Sequence, residues 1–123
     1  MHKEEVKLFL KRAENFLDGA KQRYQKGDWD LTCFLAEQSV QLFVKATILE
    51  ISGEFPKTHS IRKLFGIVHQ LTDNKTFNYD RKALLFLESA YLNSRYFSFS
   101  YEQEDAKDAI EIAENVKKMV ENA

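Results

Sequence analysis

Three stretches of this chain carry residues that can do chemistry. The first is Phe55-Pro56-Lys57-Thr58-His59-Ser60-Ile61-Arg62-Lys63-Leu64, in which Lys57, His59, Arg62 and Lys63 surround the expected start of a helix. Free N–H groups at a helix N-terminus attract anions, so phosphate binding is physically cheap there. The competing reading is that Thr58 caps the helix, His59 hydrogen-bonds locally and the cations are solvated. The second stretch is Asn93-Ser94-Arg95-Tyr96-Phe97-Ser98-Phe99-Ser100-Tyr101. Arg95 is a fixed cation beside aromatic rings, which suits a phosphate plus a stacked base, with Tyr96 stacking or hydrogen-bonding. Arg95 paired with a helix carboxylate, with the rings filling a seam, accounts for the same residues. The third is the set Gln38, Gln41 and Lys45, which recur at three and four and so share a helix face. Gln38 falls near the apolar row Leu31, Leu35, Leu42 and Leu49, where an amide needs a hydrogen-bond partner. The other reading puts it on the solvated edge of the helix.

Other chemistries lack their residues. The histidines are His2, His59 and His69, and the one cysteine is Cys33. No two of these have the spacing of a zinc site, so no metal is expected. Cys33 lies inside an apolar helix pattern, the setting of a small core residue and not of a reactive thiol. Neither a Gly-x-Ser-x-Gly turn nor a phosphate-cradling glycine loop is present, and no cofactor is expected. Lys and Arg number 18 against 19 Asp and Glu, for a net charge of −1. That balance leaves a local basic patch as the only electrostatic route to nucleic acid or membrane. No apolar run approaches the roughly 18 residues of a membrane span, and the charged start Met1-His2-Lys3-Glu4-Glu5 lacks a signal-peptide core. A single cysteine excludes an internal disulfide and fits a reducing compartment. The expectation is a soluble cytoplasmic protein.

The elements that must position these residues read as helices. One proline and four glycines in 123 residues are too few for the turns of an all-β fold. Val6, Phe9, Leu10, Ala13, Leu17, Ala20 and Tyr24 form a one-faced stripe that stops at Gly27, after which Asp28 or Asp30 opens the next helix. From about Leu31 to Ile51 the pattern is apolar nearly all round, which marks either the central helix of a bundle or the seam of a dimer, and we expect both roles. Gly53 and Pro56 end it. Ile61, Leu64, Phe65, Val68 and Leu71 form a third helix opened by Thr58 or Ser60. Ala83, Leu84, Phe86, Leu87, Ala90 and Tyr91 form a fourth. Ala106, Ala109, Ile110, Ala113, Val116 and Val120 form a fifth, with Ser100-Tyr101-Glu102-Gln103 as its capping box. The aromatic stretch Asn93 to Tyr101 reads as an ordered loop on the bundle. The fold class is therefore all-α, an up-and-down bundle of about five helices in a single domain over 1–123. Phe16, Ile112 and Met119 are apolar but lie outside the stripes, and they add to the case for a homodimer.

Ala36-Glu37-Gln38-Ser39-Val40-Gln41-Leu42-Phe43-Val44-Lys45-Ala46 resembles the second helix of the HEPN family. Pro56-Lys57-Thr58-His59-Ser60-Ile61 with Leu64 is similar to the turn after it, and Ser94-Arg95-Tyr96 and Glu104-Asp105-Ala106 with Ala109 and Ala113 to the end of the pattern. The resemblance covers nearly the whole chain. It implies a helical bundle that pairs as a homodimer, with a cleft for nucleotides or RNA. It implies a place beside a minimal nucleotidyltransferase as one half of a two-protein, toxin–antitoxin-like system. Many relatives are metal-independent RNases that use an Arg followed four to six residues later by a His. Arg95 holds the Arg place, but Phe99, Ser100 and Tyr101 stand where that His would be, and none of them can move a proton near pH 7 as imidazole does. The resulting expectation is a non-catalytic nucleotide-binding protein. Its ligand residues would be Arg95, Tyr96, Lys57 and His59, and its cleft polar residues Gln38, Gln41 and Lys45. The rivals are a pure protein-interaction module and a divergent RNase in which His59 serves Arg95. RNA binding stays open.

Overall fold

The computed structural model describes residues 2–73, 77–96 and 100–122, and only the backbone of residues 94–96. Five helices are present among them, and no strand: α1 Lys3–Gln25, α2 Trp29–Ser52, α3 Ile61–Thr72, α4 Arg81–Tyr96 and α5 Gln103–Glu121. This is the all-α bundle expected from the periodicity.

Local chemistry sets the helix ends. Gly27 takes a left-handed φ of 75° between α1 and α2, and the Asp28 side chain accepts from the Leu31 N–H at 3.3 Å to open α2. Gly53, at φ 77°, closes α2 with its N–H on the Leu49 carbonyl. Ser60 caps α3 through the Lys63 N–H. In α5 the start falls two residues later than the Ser100 box predicts. The Tyr101 N–H is taken by Asp30 at 2.6 Å, and the Asp105 carboxylate instead accepts from the Glu102 N–H at 2.8 Å. The stretch from Asn93 also departs from its reading as a loop, because α4 continues helically to Tyr96.

Helix α2 is the centre, in contact with all four other helices. Fourteen of its 24 residues are buried, so its all-round apolar pattern is explained within one chain. It runs antiparallel to α1: Val6 packs on Ala46 and Leu49, and the Ser39 hydroxyl donates to the Ala13 carbonyl at 2.9 Å. It runs parallel to α5, whose lead-in bonds to Asp30 and whose Lys117 and Val120 lie near Phe43 and Ala46. Ion pairs Lys21–Glu114 and Lys117–Glu14 join α5 to α1. Packed on α2 and more lightly on α1, α5 buries Ile112, so this residue belongs to the core and offers nothing to a dimer seam. Met119 also packs against the core. Leu71, expected on the core side of α3, is 42% exposed. Helices α3 and α4 cover the remaining side of α2, with Phe77 of their connection buried against Phe65.

Candidate functional site

Every buried polar residue among the described residues stands on α2: Thr32, Glu37, Ser39, Gln41, Lys45 and Thr47. Three have plain structural explanations. Thr32 and Thr47 return their hydroxyls to carbonyls four residues back, and Ser39 reaches Ala13. The other three, Glu37, Gln41 and Lys45, are spaced four apart and form one ladder on the helix.

Glu37 is the anchor of this ladder. It is fully buried, and each carboxylate oxygen takes an amide: Gln38 Nε2 donates to Oε1 at 2.8 Å and Gln41 Nε2 to Oε2 at 2.5 Å. Burial pushes its carboxyl up to about 7, against the two amides and the Lys45 charge, which favour the ionised form, while Glu88 adds to the rise. Lys45 is shifted the other way, lowered by its own burial and partly held up by Glu37. Its ammonium stands 5.5 Å from the centroid of the Phe55 ring.

The outer face of the ladder meets the entry to α3. Gln41 Oε1 lies 3.2 Å from His59 Nδ1, a contact across 18 residues and not the local bond open to a loop histidine. The imidazole stacks on Tyr91 of α4, with ring centroids 5.4 Å apart and planes 17° apart. Three elements therefore converge: α2 through Gln41, the α3 entry through His59 and α4 through Tyr91.

The N-terminus of α3, weighed above as a phosphate site, already holds an anion. Glu88 of α4 accepts from the Ser60 hydroxyl at 2.6 Å, the Arg62 N–H at 3.2 Å and Arg62 Nε at 3.0 Å, with Arg62 Nη2 at 2.9 Å from the same carboxylate. Burial raises the Glu88 carboxyl, but these donors outweigh it and leave the group below its ordinary value. Arg62 is thus committed to an ion pair within the chain. Lys57 is exposed on a shallow groove with Ile48, Phe55, Ile67 and Leu71, beside the α2–α3 connection.

The structure brings together Gln38, Gln41, Lys45 and His59 of the sequence-marked residues. The side chains of Arg95 and Tyr96 lie outside the described residues, as do Phe97 and Phe99. The backbone of Arg95 falls one helical turn beyond Tyr91 in α4. Tyr101, the described ring of that segment, is buried, packs edge-on against Phe86 and accepts from Asn93 Nδ2 at 2.9 Å. Sequence reasoning missed Glu37, Glu88 and Tyr91 as site residues. The one trace of Glu37 in the sequence is its spacing, four and eight residues before Gln41 and Lys45 on the same helix face.

Cys33 is buried, with its thiol pushed up to about 12 by burial and by Asp105, Asp30 and Asp108, which suits no nucleophile. Among the described residues no three His, Cys, Asp or Glu side chains gather as a metal site requires, and no helix is long and apolar enough to cross a membrane.

The solved structure of TT1696 from Thermus thermophilus shares the fold, with a TM-score of 0.76 over 95% of this chain and 96% of that one at 21% identity. A second solved structure, ST0689, described as an archaeal HEPN homologue, superposes with a TM-score of 0.72 over 95% of both chains at 27% identity. No curated protein matches the sequence. The HEPN domain model matches residues 6–123, and with nearly the whole chain covered, the protein belongs to the HEPN domain family.

Proposed function

We propose that this HEPN protein binds a nucleotide, or a nucleotide-bearing partner, where α2, the α3 entry and α4 meet, and that it does so without catalysis. The observation that carries the reading is His59, bonded to Gln41 and stacked on Tyr91 one helical turn before Arg95. An aromatic platform, a ring able to take or give a hydrogen bond and a nearby fixed cation are the parts that nucleotide recognition needs. In this reading Arg95 holds phosphate, Tyr96 stacks or hydrogen-bonds, and Lys57 adds charge from the rim. The family resemblance extends it to a homodimer that is the accessory half of a nucleotidyltransferase pair in the cytoplasm. Calorimetric titration with ATP, GTP, AMP and a short RNA tests it, with Arg95→Ala and His59→Ala in parallel. Saturable binding weakened in both variants is the expected result. A silent wild type that still forms a stable complex with a nucleotidyltransferase would replace the reading with a pure interaction module. A monomer by light scattering at micromolar concentration would remove the dimer.

One observation favours a second reading. A metal-independent RNase needs a group that moves a proton near pH 7, as imidazole does, and His59 reaches α4 one turn from Arg95 although the motif position lacks histidine. A labelled RNA left intact after long incubation with pure protein would exclude this activity.

A further inference from the structure

We propose that Lys45 is an anion-binding residue, whose ammonium takes a phosphate-class oxyanion at the end of the Glu37–Gln41–Lys45 ladder. The inference rests on the nucleotide reading above in so far as it names a phosphate contact there, and its test includes an anion that carries no nucleoside.

The argument starts from what surrounds the side chain. Only 6% of Lys45 is exposed, so its four-carbon stem is covered by its neighbours. An ammonium has three N–H donors and no acceptor. Among the described residues no oxygen takes a hydrogen bond from it and no ion pair includes it; the ammonium's contact is the Phe55 ring, 5.5 Å from the centroid. Glu37 acts on it only through space, eight residues and about 12 Å of helix rise away, with both carboxylate oxygens taken by Gln38 and Gln41. Loss of water dominates and lowers the ammonium from its ordinary value.

The ammonium is nevertheless not sealed. Among the described residues His2 Nδ1 is the one polar side-chain atom both closed to solvent and without a hydrogen bond. Lys45 Nζ has no hydrogen bond either, so it touches solvent. Phe55, whose ring it meets, is 40% exposed and leans on Phe9 with ring centroids 4.5 Å apart. A cation with a covered stem, an apolar ring on one side and water on the other keeps its charge poorly screened and its donors open. An oxyanion gains charge-assisted hydrogen bonds there, strengthened by the dry side of the site.

The register of the chain puts this spot beside the ring stack. The connection to α3 runs back along α2, so that Phe55 meets Lys45 and, four residues on, His59 meets Gln41. Lys45 is one helical turn, about 5.4 Å of rise, from the Gln41–His59 contact, short enough for one nucleotide to reach both.

Titration calorimetry at pH 7 with magnesium-free pyrophosphate, AMP and adenosine tests the assignment, with Lys45→Met in parallel. Wild type should bind pyrophosphate saturably. Lys45→Met should weaken pyrophosphate and AMP by about tenfold to a hundredfold, the worth of charge-assisted bonding, and leave any adenosine affinity as it is. The same substitution should leave the urea midpoint at or above that of wild type, because it removes a charge that has no acceptor. If that variant does not fold, Lys45→Gln is read in the same way. Pyrophosphate that fails to bind wild type, or binds the folded variant as tightly, would overturn the proposal; AMP binding that persists in both proteins would then leave the nucleotide reading standing without Lys45. Pyrophosphate binding lost in the variant, with AMP silent throughout, would keep the anion site and remove the nucleotide.

Discussion

Replacing Glu37 by Gln should change how the protein's stability depends on pH, and the size of the change follows from the site. An ordinary glutamate titrates near 4.5, whereas burial moves Glu37 to about 7. The folded chain therefore holds this proton more tightly than the unfolded chain between those values. Its stability is greatest below that window, falls as pH rises through it, and stays lower above pH 7. At about 1.4 kcal/mol per pH unit of separation, the ionised group costs about 3 kcal/mol. Glutamine keeps the volume and removes the charge. It also turns one donor toward Gln38 or Gln41, which adds a penalty that does not vary with pH. Urea unfolding followed by helical circular dichroism, at steps from pH 5 to pH 8, should show the variant gaining about 2 to 3 kcal/mol on wild type across the range, because part of the loss has already occurred by pH 5. With a denaturant slope of about 2 kcal/mol/M, that is a relative midpoint shift of a little over ~1 M. Lys45 works against part of this gain, because the Glu37 charge helps it keep its proton. Taking the difference between the two proteins removes the titration of carboxylates that do not interact with Glu37. Parallel stability curves for wild type and variant would show that Glu37 ionises normally and refute the reasoning.

Glu88→Gln should lose about 2 kcal/mol at pH 7, since it weakens a carboxylate that holds Ser60 and Arg62. Because Glu88 titrates below its ordinary value, this contribution should be full above the usual carboxylate range and fade in acid, as chemical unfolding at pH 7 and pH 3 would show. Ser39→Ala should cost about 1 kcal/mol by removing the buried bond to Ala13, with no effect on nucleotide titration. Cys33 should resist a thiol reagent such as DTNB at pH 8 and react fully in denaturant; rapid labelling of the native protein would contradict its burial.

The bundle was legible because its helices announce themselves twice, through period and through stops. The all-round apolar pattern of α2 identified the central helix, and Gly27 and Gly53 marked turns that need a left-handed backbone. The site was half legible. Gln38, Gln41 and Lys45 stood out because amides and an ammonium inside an apolar helix demand partners. Glu37 did not, since a glutamate between Ala36 and Gln38 reads as solvated until its neighbours in space are known. Glu88 was invisible for the same reason, because its partners Ser60 and Arg62 are 28 and 26 residues away. The basic residues around α3 do not form a unit. Lys57 and His59 are two residues apart yet face different surroundings, one a groove with Ile67 and Leu71 and the other the Tyr91 ring. The shifted start of α5 depended on Asp30, 71 residues upstream.

The unequal anchoring of the site has a consequence for how the protein opens. Glu37 and Gln41 belong to the helix that touches every other, so their amide hydrogens should exchange with solvent only when the whole molecule unfolds. His59 belongs to the lead-in of a 12-residue helix that packs on α2 and α4 and is clasped at its start by Glu88. Undoing that clasp frees His59 from Gln41 in a partial opening that leaves the central helix intact. The imidazole is thus mounted on the half of the site that can detach, and the Glu37–Gln41 pair it meets on the half that cannot.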